Sequence, residues 1–161
     1  MTPRMVFGIS VVMSLVSAIV AAVLLAWPRL ETMSLVEGLI WLIAPHMFLR
    51  FIGLSFLMPG VVSPSLPRAW AAPAAYGDLA AGILAIVATV ALTTGAAWAT
   101  AAAWTFNVVG AGDLLYAFYK GPRERLEPGG LGAAFYIVTA IVPPLLVTHA
   151  LIFMLLIKSR M

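Results

Sequence analysis

Apolar residues run along this chain in long blocks, interrupted by short clusters of proline, glycine and charge. The blocks predict five membrane-spanning helices, over about 6–27, 35–58, 74–94, 97–119 and 131–157. Each covers at least 20 residues, which suffices to cross a hydrocarbon core roughly 30 Å thick at about 1.5 Å per residue. Pro28-Arg29 ends the first, Pro59-Gly60 the second, and Lys158-Ser159-Arg160 follows the fifth. The stretch 74–119 decides the count. As one helix it would be about 69 Å long, more than twice the core thickness. Its only cluster of poor helix formers is Thr93-Thr94-Gly95, where the chain is expected to turn. The four-helix alternative leaves one half of this stretch outside the membrane.

Composition sharpens the class. Of 161 residues 63% are hydrophobic and 9% charged, against roughly 25% charged in a soluble domain. Mean hydropathy is +1.09. A soluble enzyme, a disordered tail, a collagen-like fibre and a nucleic-acid reader are excluded; the fold class is an all-α integral membrane protein of one domain, 1–161. The net charge of +3 comes from basic residues scattered at segment ends. Five spans put Arg4, Arg68, Lys120, Arg123 and Arg125 on one side (side A) and Arg29, Lys158 and Arg160 on the other (side B). That bias places side A and the N-terminus in the cytoplasm, and the C-terminus outside, of a bacterial inner membrane. Tyr76, Tyr116, Tyr119 and Tyr136 fall towards side A, and Trp27, Trp41 and Trp98 towards side B. The first apolar run is too long for a signal peptide and is read as a retained span.

Small residues point to helix packing. Gly77, Ala81 and Ala85 form one stripe, and Ser10, Ser14, Ser17 and Ala21 another. Both are expected to close helix contacts inside one bundle, with a homodimer face as the alternative. Pro45 and Pro143-Pro144 are expected to kink their helices.

Few polar residues lie within the spans. Glu37, near the start of the second, is expected to reach water at side B. His46, Arg50, Asp78, Asn107 and Asp113 are harder to dismiss, because charge near a bilayer centre is costly and normally paired. Counting from span midpoints places His46 and Asn107 near the midplane. Arg50 then lies roughly 5 Å, Asp113 roughly 8 Å and Asp78 roughly 10 Å towards side A. His46, Arg50 and Gly53 share one helical face; Asn107, Gly110 and Asp113 share a sector, with Gly110 as a notch for a backbone or a ligand. Arg50 is expected to pair with Asp113, or with Asp78, and the pairing alone would glue three helices. Two carboxylates to one guanidinium leave a second carboxylate able to carry a proton.

Three functions compete for this layer. The first is a membrane module that binds or translocates a small molecule, a lipid headgroup or a proton through His46, Arg50, Asp78, Asn107, Gly110 and Asp113. Five helices leave little room for an autonomous carrier, so a second copy or a partner membrane chain would complete it. The second is a b-type haem or quinone electron-transfer subunit with His46 and His149 as axial ligands. The expected offset between these histidines, roughly 9 Å along the membrane normal, weighs against it. The third is an enzyme on a lipid or isoprenoid substrate, with Asp113, Asp78 and His46 as acid–base groups. No acyl-transfer elbow, phosphate loop or diacidic motif accompanies them. No cysteine is present and two histidines do not make a zinc site, so no metal is expected.

Overall fold

A computed structural model of the chain describes residues 1–158; Arg160, expected on side B, lies outside the described residues. The chain is 84% helical, with no strands among the described residues. Its long helices are α1 (Pro3–Leu30), α2 (Leu35–Leu57), α3 (Arg68–Thr93), α4 (Ala99–Arg123) and α5 (Ile137–Lys158). By length and composition α1, α2, α3 and α5 can cross a membrane. Helix α4 has 25 residues, but Asn107, Gly110, Gly112 and Asp113 make it the least apolar of the set.

Local chemistry explains where the helices begin and end. Thr2 caps α1 by accepting the Met5 N–H, with Pro3 in the first turn. Ser34 and Glu37 form a reciprocal capping box at the start of α2. Glu37 is therefore a cap as well as an exposed acid, and the S-x-x-E spacing was its signal. Helix α3 starts at Arg68, earlier than the expected 74. Pro73 removes one bond near its start, but Trp70 and Ala71 are buried and the Trp70 indole donates to the Ala117 carbonyl. That packing holds the first turn against the proline. The chain turns after Thr93 with Gly95 at φ 66°, which a residue without Cβ adopts freely.

Helix α5 begins at Ile137, later than the expected 131, because 128–134 is a 3₁₀ turn broken by Gly132 at φ 54°. A Cβ at Gly132 would run into the Val61 carbonyl. The Ala133 N–H donates to that same carbonyl, and the Ser63 N–H donates to Gly130. Two π-helical turns, Ala22–Ala26 and Ile137–Ile141, precede Pro28 and Pro143-Pro144. A wider turn accommodates the donor that each proline lacks. In α2 the departure from α geometry follows Pro45 by a turn: from Arg50 to Leu57 the helix tightens to 3₁₀. Residues three apart eclipse in that geometry, so Arg50, Gly53 and Phe56 share the buried face.

Two apolar cores form. One gathers Leu39, Ile43, Ala88, Phe106, Ile152 and Leu156. The other gathers Phe56, Trp70, Ala75, Leu114, Leu131 and Leu145. Between them lie the buried polar residues His46, Arg50, Asp78, Asn107 and His149. In the small-residue stripes, Ala81 and Ala85 are fully buried against neighbouring helices. The serine stripe behaves differently: Ser14 and Ser17 face a crevice of about 850 Å³ between α1, α2 and α5. Helix α1 lies along α5, with 6% of its most apolar stretch buried.

Candidate functional site

Arg50 organises the polar layer. Its side chain is fully buried, and four of its five N–H donors are used. Nη1 donates to Asp78 Oδ1 at 2.5 Å and to Asp113 Oδ2 at 3.0 Å. Nη2 donates to the Gly110 carbonyl at 2.5 Å and to His149 Nε2 at 3.1 Å. One guanidinium thus joins α2 to α3, α4 and α5. The sequence expectation of a pair with Asp113 or with Asp78 becomes a pair with both.

The hydrogen bonds fix the histidine tautomers. His149 Nε2 accepts from Arg50, so its proton sits on Nδ1, which donates to Asn107 Oδ1 at 2.7 Å. The Asn107 amide in turn donates to the His149 carbonyl at 3.2 Å. Thr148 Oγ donates to the Leu145 carbonyl and accepts from His46 Nε2 at 2.8 Å. His149 is therefore neutral, and the buried Nδ1 of His46 has no hydrogen-bond partner, so a second proton there would be an unpaired buried charge. With Arg50 positive and both aspartates ionised, the layer would carry one net negative charge.

Three glycines make the close approach possible. A Cβ on Gly53 would collide with the Asp78 side chain, and one on Gly77 with the Asp113 carboxylate. A Cβ on Gly110 would stand 2.6 Å from His149 Cε1 and 3.1 Å from Arg50 Nη2. Gly110→Leu is expected to lower the unfolding midpoint in detergent sharply, since overpacking costs about 1–3 kcal/mol. Val109 is exposed, and Val109→Leu should leave that midpoint nearly unchanged. Equal tolerance of the two would contradict the placement of Gly110.

All six residues singled out from the sequence meet here: His46, Arg50, Asp78, Asn107, Gly110 and Asp113. His149 joins them, which corrects its expected offset of roughly 9 Å from His46. The two ring centroids are 4.5 Å apart. The error lay in the start of α5; moving it from 131 to Ile137 shifts the span midpoint by roughly 5 Å. Phe106 packs on both rings, at 5.0 and 5.1 Å.

The histidine pair does not suit axial haem ligation. Bis-His ligands stand on opposite faces of the iron with the porphyrin between them, whereas these rings touch each other. Their Nε2 atoms, moreover, already bond Thr148 and Arg50. Among the described residues no group of three or more His, Cys, Asp or Glu could hold a metal ion.

A pocket of about 480 Å³ leads to this layer, and Asp78 and Asp113 line it. Phe7 of α1, Phe56 of α2, Trp70 of α3 and Phe118 of α4 supply aromatic wall. Around it also stand Arg4, Arg125 and Glu127. Arg4 donates to both Glu127 carboxylate oxygens, and this exposed hydrogen-bonded pair holds the Glu127 carboxyl below its ordinary range. Arg125 is held at φ 54° just beyond the end of α4, a conformation that normally favours glycine. No pattern along the chain signals this pocket, because its walls come from separate segments with no shared periodicity.

No curated protein and no solved structure matches the chain. A family model does, over residues 6–157, and the chain accordingly belongs to the family described as Domain of unknown function (DUF8737).

Proposed function

We propose that this is an integral membrane protein whose pocket binds a small molecule or lipid headgroup at Asp78 and Asp113, with proton exchange at the same carboxylates. The observation that carries the reading is a mostly apolar pocket of about 480 Å³ ending on two carboxylates of a buried, charged layer. That volume suits a small organic ligand. The outward residues support a lipid environment: Leu25, Phe48 and Leu115 are among many large exposed apolar side chains.

In this reading α4 is the fifth crossing. Its polar residues Asn107 and Asp113 face the bundle, so its low hydropathy reflects a buried site and not an aqueous location. A second copy or partner chain would complete translocation. In this reading the membrane is a bacterial inner membrane, and the basic bias favours a cytoplasmic N-terminus. Reporter fusions after Gly95 and after Arg125, which bracket α4, are expected to mark opposite compartments; the same compartment for both would rule out α4 as a crossing.

Native mass spectrometry of protein released from nanodiscs tests the binding reading. A retained adduct is expected on the wild type, with occupancy lost in Ala117→Trp, which fills the pocket. An adduct indifferent to that substitution, or none, would sink the proposal. The enzyme reading has weaker support, since His46 bonds Thr148 and is not among the residues lining this pocket.

A further inference from the structure

We infer that the pocket takes an amphiphilic organic cation, an alkyl- or aralkylamine, and exchanges it against one proton on Asp113. The inference rests on the pocket reading and names its ligand class.

Charge at the inner end is the first argument. Facing Asp113 are Arg50 from α2 and Asp78 from α3. His149 from α5 and His46 from α2 follow behind Arg50; His149 is neutral by its hydrogen bonds, and His46 has no acceptor at its buried Nδ1 to support a second proton. With both aspartates ionised the sum is one negative charge in a place where Asp78 is 6% exposed and Arg50 0%. An uncompensated buried charge is disfavoured, so the pocket end is at rest with a proton on a carboxylate or with a cation beside it. Asp113 is the better exchanger. Its side chain is 11% exposed against 8% for Asp78, and its bond to Arg50 is the longer one.

The opposite charges belong to the exposed rim. Arg4 is bonded to Glu127, with side chains 74% and 61% exposed, which leaves Arg125 as the unbalanced cation there. Exposed charge is screened by salt, whereas a pair at an effective dielectric constant near 20 interacts about four times as strongly as in water. The inner negative charge therefore decides the sign of the ligand. The walls agree, because Phe7, Phe56, Trp70 and Phe118 offer ring faces and apolar surface suited to a cation on a hydrophobic stem.

The step balances without any further reactant. The Asp113 carboxyl gives its proton to water, and the resulting carboxylate pairs with the incoming ammonium group. One proton leaves for each cation bound. Acid competes with the ligand, so apparent affinity rises tenfold per pH unit while Asp113 is protonated in the free protein and levels off once it is ionised.

Calorimetric titration of the protein in nanodiscs with phenylbutylamine, phenylbutanol and phenylbutyrate, in buffers of different ionisation enthalpy, tests this. The amine is expected to bind at least tenfold more tightly than the alcohol, with about one proton released in the acid range, and the acid is expected not to bind. Asp113→Asn, close to isosteric, should abolish proton release and weaken the amine at least tenfold. The proton count on the wild type needs no variant and stands even if Asp113→Asn fails to fold. Equal binding of amine and alcohol without proton release overturns the inference and leaves the pocket reading intact. Preference for phenylbutyrate overturns it in favour of an anion at Arg4 and Arg125. No binding by any of the three also overturns it, while the retained adduct decides the pocket reading separately.

Discussion

Arg50→Met is expected to destabilise the protein by about 3–5 kcal/mol, because it leaves the buried Asp78 charge unpaired and takes a hydrogen-bond donor from Asp113. The cost arises from unpaired charge and not from lost volume, since methionine fills most of the same space. Removing one carboxylate as well, in Arg50→Met with Asp113→Leu, should recover only part of the loss, because Asp78 keeps its charge without Nη1. Adding Asp78→Asn to that pair should recover most of it, as buried ionic groups are often replaceable by neutral ones. Unfolding of the three variants in mixed detergent micelles measures the order. A double variant as stable as the triple would mean that Asp78 does not depend on Arg50. Ligand binding should be lost in all three, and the triple variant, folded but inactive, would separate the site from its structural support.

The polar layer was legible because charge stands out against apolar spans, and helical spacing alone groups His46, Arg50 and Gly53, or Asn107, Gly110 and Asp113. Depth was less legible, because it depends on where each helix starts. Pro64, Pro67 and Pro73 read as loop, yet burial of Trp70 carries α3 back to Arg68. The apolar run from Leu131 looked like a helix start, yet Gly132 at positive φ delays α5 to Ile137. That difference accounts for roughly 5 Å of the expected 9 Å offset between His149 and His46. The change of α2 to 3₁₀ geometry at Arg50 had no sequence signal beyond Pro45, though it aligns Arg50, Gly53 and Phe56 on one face.

The glycines that admit the carboxylates should respond differently to a single added methyl group. At Gly53 a Cβ would stand 2.6 Å from Asp78 Cβ, an atom fixed to the α3 backbone. Gly53→Ala must therefore push α2 and α3 apart, at about 1–3 kcal/mol for overpacking plus the weakened Arg50–Asp78 bond. At Gly77 the three atoms nearest the added Cβ all belong to the Asp113 carboxyl group, which can rotate away by giving up Arg50. Gly77→Ala should thus cost stability through the ion pair and not through helix separation. A double-mutant cycle separates the two mechanisms. In an Asp113→Ala background the effect of Gly77→Ala should nearly vanish, while that of Gly53→Ala persists at close to full size. Gly112 meets nothing within 4 Å, so Gly112→Ala serves as the neutral reference on α4. If Gly77→Ala costs as much with Asp113 removed as with it present, the carboxylate does not occupy the notch, and the one-guanidinium, two-carboxylate arrangement on which the pocket's negative charge depends is refuted.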